Sequence, residues 1–367
     1  MIIGGFYDID TEKALKAPDN EEFLLRADIH GEYSQKYYTN NGRTATVLAL
    51  ENGFEHRNGD QILLPEYLCI SVIDSVKAAG FECSYYKLND DLTINTESLR
   101  KSISKKTKAI YVIHYFGFPQ PAKTIEEIKK LSNENEIPII EDLTQSLFTV
   151  SEGRIGFGDY IVASLRKWFP MTDGGLLCIK NGRKFGKVRL KNAYDEAVFR
   201  QLLISVVREK YRDRMNICGE EYIEYEKAAN AARYIDFTPA SMTELSYNIF
   251  FNSDYKELIR KRVENYHILY QKLENNPGLN IMYKNICADD STVPFGFPVT
   301  VRNRNEFYGR LLKQGIVGEI QWVLPVGLYK PEKHLLQLSE HMLMLQCDQR
   351  YGPREMEITA DAVLNSI

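Results

Sequence analysis

The sequence lacks the features that mark several classes of protein. Its six cysteines include no C-x-x-C pair, which disfavours a zinc site or a dithiol redox site. It contains no run of about 18 apolar residues, which disfavours a membrane-spanning helix. The first residues show no basic segment followed by an apolar one, so we expect no signal peptide. A net charge of −4 favours neither nucleic acid nor an anionic membrane as a partner. Together these absences predict a protein of the reducing cytoplasm.

Two nucleotide-binding motifs are also missing. The chain has no G-x-G-x-x-G and no G-x-x-x-x-G-K-[ST]. Its six histidines show no spacing typical of metal ligands. A dinucleotide-binding motif, a P-loop and a metal centre are therefore not indicated.

What the first half of the chain does have is an alternation of apolar runs and segments with helical periodicity. Runs such as "AIYVI" (109–113) lack polar alternation, as expected of strands that are covered on both faces. Strands that alternate with helices predict right-handed βαβ units and a mainly parallel sheet.

The later part of the chain has a different pattern of charged and apolar residues. From about 185 to 275 it is helical and charged, and after Pro277 two predicted strands (292–301 and 315–325) enclose a predicted helix at 304–314. We therefore expect an α/β fold in three parts. These are an N-terminal arm at 1–35, a large domain with the parallel sheet at 36–250 and a smaller α+β domain at 251–367.

Ligands of open parallel sheets bind beyond the carboxyl ends of the strands. Four polar segments stand at such ends or open the helix that follows: "NNGRTA" (40–45), "HYFG" (114–117), "EDLTQS" (141–146) and "SLRK" (164–167). We expect these separated segments to meet at one edge of the sheet.

The segment "NNGRTA" is suited to an anion. A glycine at a helix start leaves backbone N–H groups open, and the helix dipole favours negative charge there. Gly42, Arg43 and Thr44 are therefore candidates for binding a phosphate group. The alternative is an ordinary N-terminal cap.

The segment "EDLTQS" places two carboxylates, Glu141 and Asp142, after an apolar run. A carboxylate buried at this point needs a cationic or protonated partner. A protonated pyridine nitrogen would serve, and so would a magnesium ion, although no Walker A motif accompanies it. A solvated carboxylate at a strand end is the third interpretation.

The segment "SLRK" offers two kinds of catalyst. A partly desolvated Lys167 would be an amine nucleophile toward an aldehyde. Alternatively, Ser164 would be a nucleophile with Lys167 as its base, as in S-x-x-K acyl-enzymes. The chain has no K-T-G to complete that second motif, and Pro170 breaks the helix that it requires.

A phosphate-binding helix start, a buried carboxylate and a strand-end lysine together suit one cofactor, pyridoxal 5′-phosphate. The helix start anchors its phosphate, the carboxylate keeps its pyridine nitrogen protonated and the lysine binds its aldehyde.

The order and spacing of these segments resemble the DegT/DnrJ/EryC1/StrS family of sugar aminotransferases, which are fold-type-I pyridoxal phosphate enzymes. The likeness extends over most of the chain. Its most specific part is "KAIYVIHYFGFPQPAKTIEEIKKLSNENEIPIIEDLTQSL" (108–147), and "GDYIVASLRKWFPMTDGGLL" (158–177) resembles the family's lysine segment. The resemblance implies an aspartate-aminotransferase-like large domain with a smaller α+β C-terminal domain.

The resemblance also implies roles for single residues. Lys167 is similar to the Schiff-base lysine, and Asp142 to the partner of the pyridine nitrogen. Gln145 is expected near the ring oxygen of the cofactor, and Ser164 at its phosphate. The other residues that the resemblance assigns to the phosphate are Gly42, Arg43 and Thr44.

Two of the chain's departures from the family pattern concern the lysine and the cofactor ring. The segment from Ser164 to Lys167 is two residues shorter than is common. Cys69 stands where many members place an aromatic residue over the cofactor ring, so it is expected at the cofactor. Tyr67 or Tyr115 would then stack on the ring instead.

Three further residues are less specific. Arg350 would hold the carboxylate of an amino donor by a bidentate contact, or would be a surface arginine. Trp322 would line the sugar site or simply pack in the core. His114 is expected to be a packed strand-end histidine.

The function implied by the resemblance is transfer of an amino group from an amino acid, with glutamate expected, to a nucleotide-linked keto sugar. The product would serve surface polysaccharide or related glycan synthesis, and the enzyme would be a homodimer with shared active sites. Two alternatives stay open. One is a pyridoxal phosphate-dependent sugar dehydratase, although such relatives carry histidine at the lysine position. The other is a catalytically silent relative with a binding role.

Overall fold

The computed structural model describes residues 2–5, 7–21, 23, 25–28, 30–192, 237–284 and 291–367. Elements are numbered in chain order within these residues. The strands are β1 Ile3–Gly4, β2 Gln35–Thr39, β3 Gln61–Pro65, β4 Glu82–Tyr86, β5 Thr107–Ile113, β6 Ile139–Asp142, β7 Tyr160–Ala163, β8 Gly175–Ile179, β9 Asn280–Ile281, β10 Phe297–Thr300, β11 Ile316–Val317 and β12 Met342–Leu345. The helices are α1 Thr11–Ala14, α2 Gly42–Gly53, α3 Ile70–Ala78, α4 Thr96–Ser102, α5 Ala122–Asn135, α6 Glu244–Phe251, α7 Tyr255–Leu273, α8 Arg304–Lys313, α9 Lys333–His341 and α10 Pro353–Leu364.

A seven-stranded sheet in the order β2-β8-β7-β6-β5-β3-β4 forms the centre of the larger part. Strand β8 runs antiparallel to both of its neighbours, and all other adjacent strands in the sheet are parallel. The predicted α/β fold with a mainly parallel sheet is therefore confirmed. Parallel strands that share a direction bring their carboxyl ends to one edge, where the candidate segments follow.

Helix α5 shows how the sequence builds the layers around this sheet. Its buried residues Ile125, Ile128 and Leu131 recur at helical spacing. They join the core cluster that also contains Ile110 and Val112 of β5. Alternation of such helices with continuous apolar strands is the arrangement that the sequence predicted.

The C-terminal part contains a three-stranded antiparallel sheet in the order β12-β10-β9. A second core cluster lies here, with Leu269 of α7, Val299 of β10 and Val363 of α10 among its members. The predicted helix at 304–314 is confirmed as α8.

The strand predicted at 315–325 was wrong for most of its length. Only β11 is a strand, and beyond it Glu319 alone makes an isolated bridge, to Met344. The residues that follow form the wall of a cavity, where side chains rather than a partner strand take their polar contacts. The strand predicted at 292–301 is likewise restricted to β10.

The N-terminal segment packs against the rest of the chain. Strand β1 pairs with β11, and Phe23, Leu25 and Tyr33 are buried in the large core cluster. The predicted domain boundaries at 35 and 250 stay predictions. Of the charged helical stretch predicted at 185–275, residues 193–236 lie outside the described residues. Among the described helices, none combines the length and apolarity needed to cross a membrane.

Candidate active site

A cavity of about 420 Å³ opens at the edge where the parallel strands end. Ile113 of β5, Asp142 of β6 and Val162 of β7 contribute to it, together with the starts of α2 and α3. Residues 319–322 of the C-terminal part close one side. The sequence-predicted site residues that line it are Gly42, Arg43, Cys69, Asp142, Gln145, Ser164, Lys167 and Trp322.

The start of helix α2 forms one end of the cavity. Asn41 caps the helix, because its Oδ1 accepts the N–H of Thr44 at 3.1 Å. The first helical hydrogen bond is the one that Ala45 donates to Asn41. The helix itself therefore supplies no acceptor for the N–H groups of Gly42 and Arg43, and the positive end of its dipole is presented to the cavity that both residues line.

Thr44 was predicted at the phosphate site, but it does not line the cavity. Its side chain is buried, and its hydroxyl donates to Asn40 Oδ1 at 2.5 Å instead of reaching the cavity. The same hydroxyl accepts the N–H of Asn41 at 3.3 Å. Thr44 thus shapes the helix start, because its hydroxyl completes a reciprocal cap with Asn41.

Ser164 approaches the helix start from the end of β7. A Cβ atom on Gly42 would lie 3.0 Å from Ser164 Cβ, so a glycine permits this close approach. Ser164 is 7% exposed, and its hydroxyl has no hydrogen-bond partner in the described part of the chain. Its N–H donates to Thr144 Oγ1 at 3.1 Å. A buried hydroxyl beside a helix start is a donor set that suits a phosphate group.

Asp142 is held by two donors. Its Oδ1 accepts the N–H of Thr144 at 2.8 Å, and its Oδ2 accepts the hydroxyl of Tyr111 at 2.8 Å. Burial, and after it the charge of Asp142, raises the pKa of Tyr111 well above its ordinary value, so this hydroxyl stays protonated and donates. The sequence did not single out Tyr111, because one tyrosine in the apolar run "AIYVI" carries no signal of its own.

Glu141, the neighbouring carboxylate, has a structural role. It is fully buried and accepts the backbone N–H groups of Gly156, Phe157 and Gly158. His114 Nδ1 accepts the N–H of Gln120, so its Nε2 carries the proton and donates to Glu141 at 3.1 Å. The packed His114 agrees with the prediction. Successive strand residues point to opposite faces, which separates Glu141 from the cavity that Asp142 lines.

Lys167 ends a short 3₁₀ turn, Leu165–Lys167, that follows Ser164. The lysine is half-buried and lines the cavity, so the shortened segment does bring its side chain there. Within the described part of the chain, its amine makes no hydrogen bond or ion pair. The tight turn, in place of a helix, is also unlike the geometry expected for a serine acyl-enzyme.

Gln145 links the two parts of the molecule at the cavity. Its Oε1 accepts the N–H of Phe116 at 2.9 Å, and its Nε2 donates to Gln321. Gln321 in turn donates to Glu319 Oε2 at 2.7 Å, and Gln346 donates to Glu319 Oε1 at 2.8 Å. Glu319 thus presents a fixed carboxylate that no described cation pairs with. Sequence analysis missed Glu319, because the apolar residues around it predict a strand.

The aromatic side of the cavity is formed by Trp322. Tyr67 and Tyr115 pack behind it, with ring centroids 5.7 Å and 6.4 Å from that of Trp322. Neither tyrosine lines the cavity, so the suggestion that one of them stacks on a cofactor was wrong. Cys69 does line it, as the N-cap residue of α3, and its Sγ accepts the hydroxyl of Ser71 at 3.1 Å.

Arg350 lies outside this cavity and borders a separate one of about 60 Å³, which Arg166 and Lys167 also line. Its Nε and Nη2 donate to the two oxygens of Asp348 at 2.9 Å and 2.7 Å. Its guanidinium also lies 4.2 Å from the ring centroid of Tyr7. The guanidinium edge that was expected to bind a donor carboxylate therefore binds Asp348, and in this structure Arg350 has a structural role.

The chain is similar in sequence to known aminotransferases. A sequence model described as the DegT/DnrJ/EryC1/StrS aminotransferase family matches residues 24–230, which is more than half of the chain. A curated relative, GDP-perosamine synthase of Vibrio cholerae, is 26% identical over 158 residues. That match covers 41% of this chain and 42% of the relative, so less than half of the relative's length is spanned.

Solved structures extend the likeness in fold to the whole chain. PseC of Helicobacter pylori, an aminotransferase involved in the biosynthesis of pseudoaminic acid, has a TM-score of 0.70 at 14% identity, with 100% of this chain and 99% of that chain covered. NtdA of Bacillus subtilis, with bound cofactor PMP, has a TM-score of 0.64 at 16% identity, with 91% and 73% covered. At these identities the likeness shows the fold, which is that of fold-type-I aminotransferases.

Proposed function

Since the chain belongs to the DegT/DnrJ/EryC1/StrS aminotransferase family, we propose that it transfers an amino group from an amino acid to a keto sugar carried on a nucleotide. The family depends on pyridoxal 5′-phosphate. The observation that carries the proposal is the single cavity that Lys167, Asp142 and the start of α2 line together. These are the three groups that the cofactor needs at once.

The donor set fits this cofactor. The N–H groups at Gly42 and Arg43 and the buried hydroxyl of Ser164 would hold the phosphate. Asp142 would receive the protonated pyridine nitrogen, since a buried carboxylate needs such a partner. Cys69 and Trp322 would bound the ring, and Gln145 would lie near its oxygen. Lys167 would bind the aldehyde.

Bound pyridoxal phosphate supplies an aldehyde for the amino group and a ring that withdraws electrons. The chain's residues do the rest. Lys167 Nζ takes the proton from the α-carbon of the amino donor and later returns a proton at the acceptor carbon. Asp142 keeps the ring nitrogen protonated, so that the ring can withdraw electrons. A lysine at this point also disfavours the dehydratase alternative.

The proposed sugar substrate would contact the part of the cavity wall that the cofactor does not occupy. Trp322 and the carboxylate of Glu319 offer an apolar face and a hydroxyl acceptor, which suit a sugar. The Vibrio relative is named for a GDP-linked product, which supports a nucleotide sugar. Glutamate as donor follows from the family resemblance.

We extend the proposal to a cytoplasmic homodimer that serves surface polysaccharide or related glycan synthesis. Val323, Val326 and Leu328 are exposed apolar residues next to Trp322, at 73%, 63% and 46% exposure. A second subunit that covers them would remove this apolar surface from water.

The test is a turnover assay with purified protein and pyridoxal phosphate. Glutamate is supplied with a panel of nucleotide-linked keto sugars, and mass spectrometry looks for an amino sugar while 2-oxoglutarate is measured. Formation of both products in equal amounts is the expected result. Cofactor binding without turnover of any panel member would instead favour the catalytically silent relative.

A substitution at Gly42 tests the proposed phosphate site. We expect Gly42→Ala to weaken binding of pyridoxamine 5′-phosphate by roughly tenfold, which is about 1.4 kcal/mol, because the methyl group would crowd Ser164. Thermal stability should fall only slightly, since contacts of 3.0–3.3 Å require a shift of a few tenths of an ångström. Calorimetric titration and thermal unfolding measure the two effects.

Gly309→Ala is the matched control for this variant. Gly309 is also a helical glycine, but a Cβ there meets no atom within 4 Å. We expect no change in affinity. Equal affinities of Gly42→Ala and the unaltered protein would show that the phosphate does not bind at the start of α2.

A further inference from the structure

We infer that Tyr111 is a positioning residue for the cofactor, which acts by fixing the carboxylate of Asp142 that receives the pyridine nitrogen. This inference rests on the proposed function, since it needs the cofactor to bind at Asp142. It concerns a residue that lines the cavity and whose hydroxyl donates to Asp142.

The two hydrogen bonds to Asp142 differ in what they can do. The N–H of Thr144 binds Oδ1 from the chain segment that directly follows the aspartate. The hydroxyl of Tyr111 binds Oδ2 from the adjacent strand β5. One bond alone leaves the carboxylate free to rotate about the Cβ–Cγ bond, whereas donors on both oxygens define its plane. Each oxygen keeps a second lone pair for a further donor.

Tyr111 is itself held rigidly. It is 1% exposed, and it lies within β5, paired in register with Ile140 of β6. Because burial raises the pKa of Tyr111 well above its ordinary value, its hydroxyl is a neutral donor at every pH at which the protein would be studied. It therefore orients the carboxylate without bringing a positive charge that would compete with the protonated ring nitrogen.

A merely structural tyrosine would behave differently. Loss of its hydroxyl would lower stability, or would weaken every ligand of the cavity alike. A residue that acts through Asp142 must instead affect only ligands that carry a ring nitrogen. The inference can therefore be tested by comparing two ligands that differ in that one atom.

The experiment is a calorimetric titration of the whole protein with pyridoxamine 5′-phosphate and with its 1-deaza analogue, in which a C–H replaces the ring nitrogen. Neither ligand has an aldehyde, so no bond to a lysine complicates the affinity. We expect Tyr111→Phe to weaken pyridoxamine phosphate about tenfold and to leave the deaza analogue within about twofold of its affinity for the unaltered protein.

Tyr86→Phe is the matched control. It removes a buried hydroxyl that donates to the backbone of Tyr111, but it leaves the contact between Tyr111 and Asp142 in place. Its affinity for both ligands should be unchanged, and thermal unfolding of both variants shows whether either loses its fold. A second measurement uses Asp142→Asn, in which a further Tyr111→Phe substitution should no longer alter the ratio of the two affinities.

Each outcome of these titrations either supports or overturns the role of Tyr111. A loss confined to the ligand with the ring nitrogen supports the inference. An equal loss for both ligands, no loss for either, or a nitrogen-specific loss that persists in Asp142→Asn would overturn it. If the unaltered protein binds neither ligand, it is the proposed function that fails.

Discussion

Replacing Lys167 with alanine should abolish the covalent attachment of pyridoxal phosphate. After borohydride reduction, mass spectrometry of the unaltered protein should find the label on the peptide that contains Lys167, and the variant should carry none. Transamination should fall by about a hundredfold to ten-thousandfold, the usual contribution of a general acid–base group. The physical reason is that Lys167 is the lysine that lines the cavity with Asp142 and the start of α2, and no described group engages its amine.

Two further variants isolate the cause. Lys167→Arg keeps the positive charge but loses the amine nucleophile, so it should behave like the alanine variant. Lys180 lies just beyond the end of β8 and pairs with Glu32 at 3.0 Å, away from the cavity, so Lys180→Ala should keep both label and activity. A label that stays in place in Lys167→Ala would show that another lysine binds the cofactor.

The parts of the site that the sequence predicted share one property. Gly42, Asp142, Ser164 and Lys167 each stand at the end of a strand or the start of a helix in the parallel sheet. The hydrophobic pattern of the sequence shows where each strand ends. A residue's position relative to an apolar run is therefore enough to predict that it lies at the edge of the sheet where the parallel strands end. The shortened segment before Lys167 did not change this, because a 3₁₀ turn, Leu165–Lys167, still brings Lys167 to the cavity.

The parts that the sequence missed depend on contacts between distant segments. Tyr111 acquires its role only when β5 pairs with β6 and places it beside Asp142. Glu319 and Gln321 reach the cavity because the chain after β11 leaves the strand that its apolar pattern predicted. Thr44 is a different kind of error, since phosphate binding and helix capping both favour a threonine at that position and the pattern cannot separate them.

One experiment separates the structural role of Arg350 from the donor-binding role that the sequence left open. We expect Arg350→Met to lower the free energy of unfolding by about 3–5 kcal/mol, as when one partner of a buried ion pair is removed. The reason is Asp348, whose side chain is 1% exposed and would lose two of its hydrogen bonds. Urea unfolding at pH 7 measures the loss. Arg260→Met is the control, because Arg260 also pairs with carboxylates but is exposed, so little change is expected.

The pH dependence of this loss has a definite sign. Burial alone would raise the pKa of Asp348, but the charge of Arg350 and its hydrogen bonds, with a contribution from Arg262, outweigh burial and lower that pKa below its ordinary value of 3.8. A carboxyl group whose pKa is lower in the folded state stabilises the fold fully above its unfolded value, and this stability is lost as the pH falls through the folded value. In Arg350→Met, burial without the arginine should raise the pKa of Asp348, so the folded variant binds a proton at a higher pH than the unaltered protein does. The difference between the two proteins should therefore be largest near neutral pH and shrink as the pH falls, continuing below pH 3.8 as Asp348 of the unaltered protein protonates. If Arg350→Met were instead fully stable and raised only the KM for the amino donor, Arg350 would bind the donor's carboxylate as the sequence suggested.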